Sequence, residues 1–410
     1  MIKQQFEIPA GYKKWTTALL GIGILALLLG FFLLGMSKDE HQQTRFWAVL
    51  LQNALFFLLV CNACMFFICA TTLAMGGWQM SFRRVPEAIS SLVPVFAILA
   101  LIIFIATIVG GAGHHHIYHW ADKNAVAGDE ILTKKKGFLN PTFFFVWTII
   151  TLSVWSLVGR KMRQLSRQAD EAPMSSETSR KYVWNNTVWA AIFIVFFALT
   201  VGSTIPWLWL MSLDAHWYST MYSWYTFAST FVSACALITL FVIYLRNQGY
   251  LEYTNDEHIH DLGKFMFAFS IFWTYLWFAQ FMLIWYANIP EETTYFKIRI
   301  HGPYRGLFWL NLIVNFVAPI LILMKRASKR NYTVMVFMAV LIILGHWLDF
   351  YQMVMPGTVG EEFTLGWFEW GILVLYIGLI MYMVGRALSK APLISKYNPF
   401  LKESIAHESP

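Results

Sequence analysis

His346 and Asp349 stand three residues apart in the run Gly345-His346-Trp347-Leu348-Asp349-Phe350-Tyr351-Gln352-Met353, inside a long apolar stretch that ends before Pro356. At that spacing two side chains share one face of a helix, and Met353 continues the same face. An ionisable group inside a membrane span costs of order 2.5 to 3.5 kcal/mol, so it normally turns inward and marks a proton relay or a ligand contact. A carboxyl beside an imidazole forms a proton-exchanging pair, suited to a relay or to a quinol head. The alternative is that Asp349 is neutral, or bonded to a neighbouring helix, and fixes packing.

Other polar residues fall at similar depth. Glu369 opens the last apolar stretch, Tyr275 and Gln280 lie in the seventh, Gln52 and Asn53 open the second, and Asn311 and Asn315 share one face of the eighth. Each amide alone reads equally well as glue between helices. Their common bias to one half of the spans predicts a cavity opening to that side.

Other chemistries find less support. A membrane haem held by two histidines needs both inside spans, and His346 is the one histidine clearly within an apolar stretch. No haem-attachment or iron-sulfur spacing occurs. His114, His115, His116 and His119 cluster in a loop and read as solvated rather than as a metal centre. Cys61, Cys64, Cys69 and Cys235 all lie in apolar stretches, where a thiolate is costly, and read as small packing residues.

Ten apolar stretches must position these groups. They run at roughly 15–36, 46–73, 89–110, 142–160, 186–211, 224–245, 265–287, 306–324, 332–355 and 366–386, each near the ~20 residues a helix needs to cross ~30 Å of hydrocarbon. The hydrophobicity is unbroken rather than alternating, which predicts helices, since each segment must satisfy its own backbone. Hydrophobic residues make up 58% of the chain and no segment reads as a soluble domain. The first stretch is too long for the apolar part of a signal peptide and precedes no small-residue cleavage site, so it reads as a retained helix.

Sidedness follows from the basic residues. Of 30 Lys and Arg, 21 fall on the side of the N-terminus and 9 on the other. Both termini are therefore expected in the cytoplasm, in a bacterial inner membrane crossed ten times. The net charge of +7 follows from that topology and needs no nucleic-acid partner. The Ser/Glu/Arg-rich segment 161–185 reads as a solvated linker between two groups of helices.

The run Phe272-Trp273-Thr274-Tyr275-Leu276-Trp277-Phe278-Ala279-Gln280-Phe281-Met282-Leu283-Ile284-Trp285-Tyr286-Ala287-Asn288-Ile289-Pro290-Glu291-Glu292-Thr293, with Ser212-Leu213-Asp214-Ala215-His216-Trp217-Tyr218-Ser219-Thr220 and the segment from His346 to Pro356, resembles the NrfD-like, polysulfide-reductase-type membrane subunits of bacterial alternative complex III, a quinol:cytochrome c oxidoreductase. The resemblance is greater to the second of the two paralogous subunits.

It implies an all-α fold of two four-helix bundles, spans 2–5 and 6–9, flanked by spans 1 and 10. The corresponding divisions are 1–45, 46–211, 212–355 and 356–410. It implies no redox cofactor in this chain, with menaquinone or ubiquinone as the quinone. An iron-sulfur subunit, c-type cytochrome subunits and a paralogous NrfD-like subunit would be its partners, and the partners would carry the iron-sulfur clusters and c-type haems. Asp214 and His216 join the site candidates on this ground, and Glu291 and Glu292, with the loop 111–141, become candidates for partner docking. A different class remains open, a free-standing secondary transporter with an intramembrane carboxylate site. Transporters favour helices broken near mid-span, whereas Pro94, Pro206 and Pro319 lie toward span ends.

Overall fold

The computed structural model describes residues 5–110 and 117–408; the loop histidines 114–116 lie outside them. Ten helices are long and apolar enough to cross a membrane: span 1 (Ala10–Gly35), span 2 (Glu40–Leu73), span 3 (Arg84–Val109), span 4 (Pro141–Gln168), span 5 (Ser176–Asp214), span 6 (Tyr222–Asn247), span 7 (Asp256–Ala287), span 8 (Arg305–Leu323), span 9 (Tyr332–Thr358) and span 10 (Trp367–Leu388). Among the described residues there is no strand. The chain is an all-α multispanning membrane protein.

Several helices begin well before the hydrophobicity does. Span 7 starts at Asp256, where the Asn255 side chain accepts from the Glu257 and His258 amides and the His258 ring takes the Asn255 amide in return. The apolar run marks the hydrocarbon, while capping residues carry the helix on into the polar region. Span 7 closes on Asn288 in the left-handed conformation, one that Asn tolerates, and Ile289-Pro290 then starts a short connecting helix, Pro290–His301.

Packing groups the spans into two rings. Spans 2, 3, 4 and 5 contact one another in order and close 5 on 2; spans 6, 7, 8 and 9 do the same and close 9 on 6. Spans 2 and 6 are the most enclosed, and the rings join along 2 against 6 and 9. Segment 161–185, expected as a solvated linker, is mostly helix. Only residues 169–175 separate spans 4 and 5, so the break falls inside the first ring rather than between two groups. Asp170 in that turn is drawn in by Arg84 at 2.5 Å and Ser395 at 2.6 Å.

Spans 1 and 10 form the most extensive helix pair and stand outside both rings. Their contact rests on glycines seven residues apart, Gly23 and Gly30 on one helix and Gly371, Gly378 and Gly385 on the other. A Cβ at Gly23 would lie 2.4 Å from the Leu375 Cα, and one at Gly371 would lie 2.4 Å from the Ala26 Cβ. In lipid no hydrophobic force drives helices together, so this close backbone approach supplies the dispersion that does. The outer face of span 1 carries exposed Trp15, Ile22, Leu25 and Phe32, as a lipid-facing surface should.

Both chain ends gather at one end of the molecule. Gln5 pairs with Pro392, the Glu7 amide donates to the Tyr250 hydroxyl at 3.1 Å, and Asn255 Nδ2 donates to the His407 carbonyl at 3.0 Å. With 21 of 30 basic residues on that side, a reporter fused after Pro410 is expected to be active only in the cytoplasm and one inserted at Lys123 only outside. The reverse pattern of reporter activity would overturn the sidedness.

Candidate functional site

Asp349 is fully buried in the second ring and receives four donors from three other helices. Tyr225 and Ser229, one turn apart on span 6, donate their hydroxyls to Oδ1 and Oδ2 respectively, the latter at 3.0 Å. Trp273 Nε1 on span 7 reaches Oδ2 at 3.0 Å, and Asn311 Nδ2 on span 8 reaches Oδ1 at 2.8 Å. The indole and amide N–H groups can only donate, and the acceptor-only form of a carboxyl receives all four bonds at once. In a medium without water this satisfies the side chain completely.

The expected His346–Asp349 pair is present but indirect. His346 Nδ1 lies 3.9 Å from Oδ2, too far for a hydrogen bond, while Ser229 Oγ sits 3.0 Å from both. Because the Ser229 proton points to Asp349, the network assigns Nδ1–H of His346 as donor to Ser229. In the neutral ring that leaves Nε2 with a free lone pair, and Nε2 is buried without a partner among the described residues. The arrangement is a hydrogen-bonded chain of three side chains: imidazole, hydroxyl, carboxyl.

Span 8 is shaped to serve this group. A π turn, Ile313–Val317, carries Asn315, whose Nδ2 donates at 2.5 Å to Asn311 Oδ1 and so orients the Asn311 amide toward Asp349. Gly345 allows the approach, since a Cβ there would stand 2.1 Å from Asn315 Oδ1. π turns are frequent at functional sites because the extra residue re-aims side chains.

On its other flank Asp349 borders a cavity of about 20 Å³, shared with Gln280, Gln352, Tyr225, Tyr295 and Arg299. That is room for about one water. Gln280 Oε1 and Gln352 Nε2 have no partner among the described residues, which makes the cavity a polar place. Arg299 is buried on the connecting helix. It donates to the Gln352 carbonyl at 2.9 and 3.1 Å and to the Tyr295 carbonyl at 2.6 Å, and lies 3.4 Å from the centre of the Tyr295 ring. No carboxylate stands within ion-pair distance of it among the described residues. Burial pushes the Tyr295 phenol above its ordinary range, so it meets the guanidinium as a neutral ring.

The remaining candidates separate. Gln280 lines the cavity beside Asp349. Tyr275 does not: it is 62% exposed, because Trp273, Trp277, Gln280 and Ile284 hold the inward stripe at helical spacing and a residue two positions from Trp273 is turned about 200° away. Glu369 is fully buried, yet it faces Arg45 rather than Asp349, accepting from Nε at 2.7 Å and Nη2 at 2.8 Å while also taking the Gly366 amide at 2.8 Å. It clamps span 10 to span 2.

His216 is exposed in the loop after span 5 and is bonded to Asp129, whose carboxyl it holds below the usual range. Asp214 is half-buried in the preceding turn and meets neither His346 nor Asp349. Glu291 and Glu292 open the connecting helix, where negative charge meets the positive end of the helix dipole. Glu291 is exposed and Glu292 half-buried.

Tyr225, Ser229, Trp273 and Arg299 are the members sequence reasoning passed over. Tyr225–Ser229 does mirror Asn311–Asn315 in spacing, which was the available signal. No protein-family model matches this chain, and comparison with curated proteins returns no relative.

The Arg45–Glu369 pair makes a clear test of what is structural here. Arg45→Ala leaves a buried charge unpaired and is expected to destabilise the protein by about 3 kcal/mol. Adding Glu369→Gln should restore most of that loss in thermal unfolding of the detergent-solubilised protein. A double variant as unstable as the single one would refute the clamp.

Proposed function

We propose that this chain is a membrane subunit of a respiratory quinol oxidoreductase complex. In this reading its own contribution is proton transfer through the second ring, and the redox centres reside on partner subunits. The observation that carries the proposal is the hydrogen-bonded chain His346–Ser229–Asp349, leading into a water-sized polar cavity bounded by Arg299. Paired protonatable groups buried in a membrane bundle are the ordinary materials of a proton path.

The cavity is too small to admit a quinone ring beside Asp349. What the residues do by themselves is clear enough. Ser229 can accept from His346 while donating to Asp349, so a proton delivered to Nε2 releases one from Nδ1 toward the carboxylate. The alternative complex III resemblance supports the setting, with iron-sulfur and c-type cytochrome partners and a bacterial inner membrane.

A secondary transporter is the competing reading. One observation favours it: π turns interrupt span 5 at Thr200–Thr204 and span 8 at Ile313–Val317, before Pro206 and Pro319. Each helix nonetheless resumes within one turn.

The test is Asp349→Asn in the native membrane, purified with whatever subunits accompany it. The variant keeps the shape and removes the acceptor charge. The proposal expects haem- and cluster-bearing partners to copurify with both forms, and quinol-driven turnover or coupled proton release to fall at least tenfold in the variant. Normal turnover and coupling in an assembled Asp349→Asn complex would assign Asp349 to packing. Copurification of no redox partner would favour the transporter.

A further inference from the structure

At the end that bears the termini, far from Asp349 along the chain's ten crossings, spans 3, 4 and 10 enclose a cavity of about 510 Å³. Its rim is basic: Arg84, Arg163, Arg167, Arg386 and Lys390 line it, with Glu87 as the one acidic lining residue. The local acids are already committed. Glu87 receives Arg83 at 3.0 Å and Arg84 at 2.9 Å, and Asp170 receives Arg84 at 2.5 Å, so two carboxylates are matched by two guanidiniums.

Arg163, Arg167, Arg386 and Lys390 are left over. None has a carboxylate within ion-pair distance among the described residues. Arg163 makes only a long bond of 3.4 Å to Ser90 Oγ, and Arg386 donates at 2.9 Å to the Tyr382 hydroxyl. Arg84 itself is 7% exposed, and its Nε finds no acceptor among the described residues. Four uncompensated cations around one concavity repel one another unless an anion is shared between them.

The cavity is not only basic. Leu379, Met383 and Ala387 continue its wall down the side of span 10. Leu379 lies seven residues, or ~10 Å, deeper along the helix than Arg386. A charged rim over an apolar wall running into the hydrocarbon has the form of a headgroup above an acyl chain. Basic pockets between spans on the positively charged side of a membrane bind anionic headgroups.

We propose that this cavity is a binding site for an anionic phospholipid, its phosphate held by Arg163 and Arg386, with Arg167 and Lys390 at the rim, and one acyl chain along Leu379 and Met383. The site lies apart from the Asp349 cluster and stands whichever function that cluster serves.

The experiment is native mass spectrometry of the purified full-length protein, with any subunits it retains, titrated with phosphatidylglycerol, phosphatidylcholine or inorganic phosphate. One phosphatidylglycerol per chain should be retained at a concentration at least tenfold below that needed for phosphatidylcholine. Inorganic phosphate should not displace it, and the double variant Arg163→Gln/Arg386→Gln should lose the preference. If the variant fails to fold, the wild type decides: raising salt to about 1 M, where the Debye length is about 3 Å, should abolish the preference. Equal retention of both lipids, or a preference unchanged in the folded variant or at high salt, overturns the proposal. Displacement by inorganic phosphate means a free-phosphate site, and exclusion of lipid by a copurifying acidic protein means a protein-docking site; either also overturns it.

Discussion

A single buried carboxylate organises the second half of this molecule. Asp349 takes hydrogen bonds from spans 6, 7 and 8 while belonging to span 9, so each helix of that ring is tied to one pair of oxygens. Within hydrocarbon there is no water to replace a lost partner, and withdrawing any one helix would strand a charge or its donor. The spacing of Tyr225 from Ser229, the π turn beneath Asn311 and Asn315, and the absence of a side chain at Gly345 are all conditions of this one convergence.

The first ring is closed differently. Trp155 Nε1 meets Thr200 Oγ1 at 3.2 Å, Trp209 Nε1 meets Thr148 Oγ1 at 2.9 Å, and the Tyr118 hydroxyl meets the Trp209 carbonyl at 2.8 Å. These are neutral bonds of modest strength, enough to fix helix rotation without fixing a charge. The first ring keeps its buried charges, Glu87 with Arg83 and Arg84, at the terminus-bearing end, whereas the second holds Asp349 among neutral donors.

The ten spans could be read from hydrophobicity because apolar length answers directly to membrane thickness, and His346 and Asp349 could be read because a charge in that setting is conspicuous. The partners of Asp349 could not be, since Tyr, Ser and Trp are ordinary in spans and nothing in their identity says which helix they address. Tyr275 shows the opposite lesson: the stripe Trp273, Trp277, Gln280, Ile284 was available to exclude it. Arg299 was hidden by counting it as a loop charge. The order Glu291, Glu292 at the start and Arg299, His301 at the end of that segment already suits a helix dipole, and a helix is what turns Arg299 inward. Glu369 was conspicuous for the same reason as Asp349, but its partner Arg45 lies on a distant helix, so its role as a clamp is a tertiary fact.

The two ends of the molecule place their charges to different purposes. At the terminus-bearing end, Glu87 and Asp170 bind Arg83 and Arg84, His407 Nε2 meets Asp261 at 2.8 Å, and Ser404 donates to the Trp78 carbonyl at 2.5 Å. The C-terminal segment thereby ties the loop before span 3 to the start of span 7, and ion pairs stiffen this end. Toward the other end, Asp349 and Arg299 face a shared cavity without touching, and Gln280 and Gln352 keep polar atoms free toward it. A satisfied pair holds a structure; opposed charges separated by room for a water can pass a proton without moving a helix. The charge arrangement therefore asks of the rest of the fold chiefly that the second ring stay closed around Asp349.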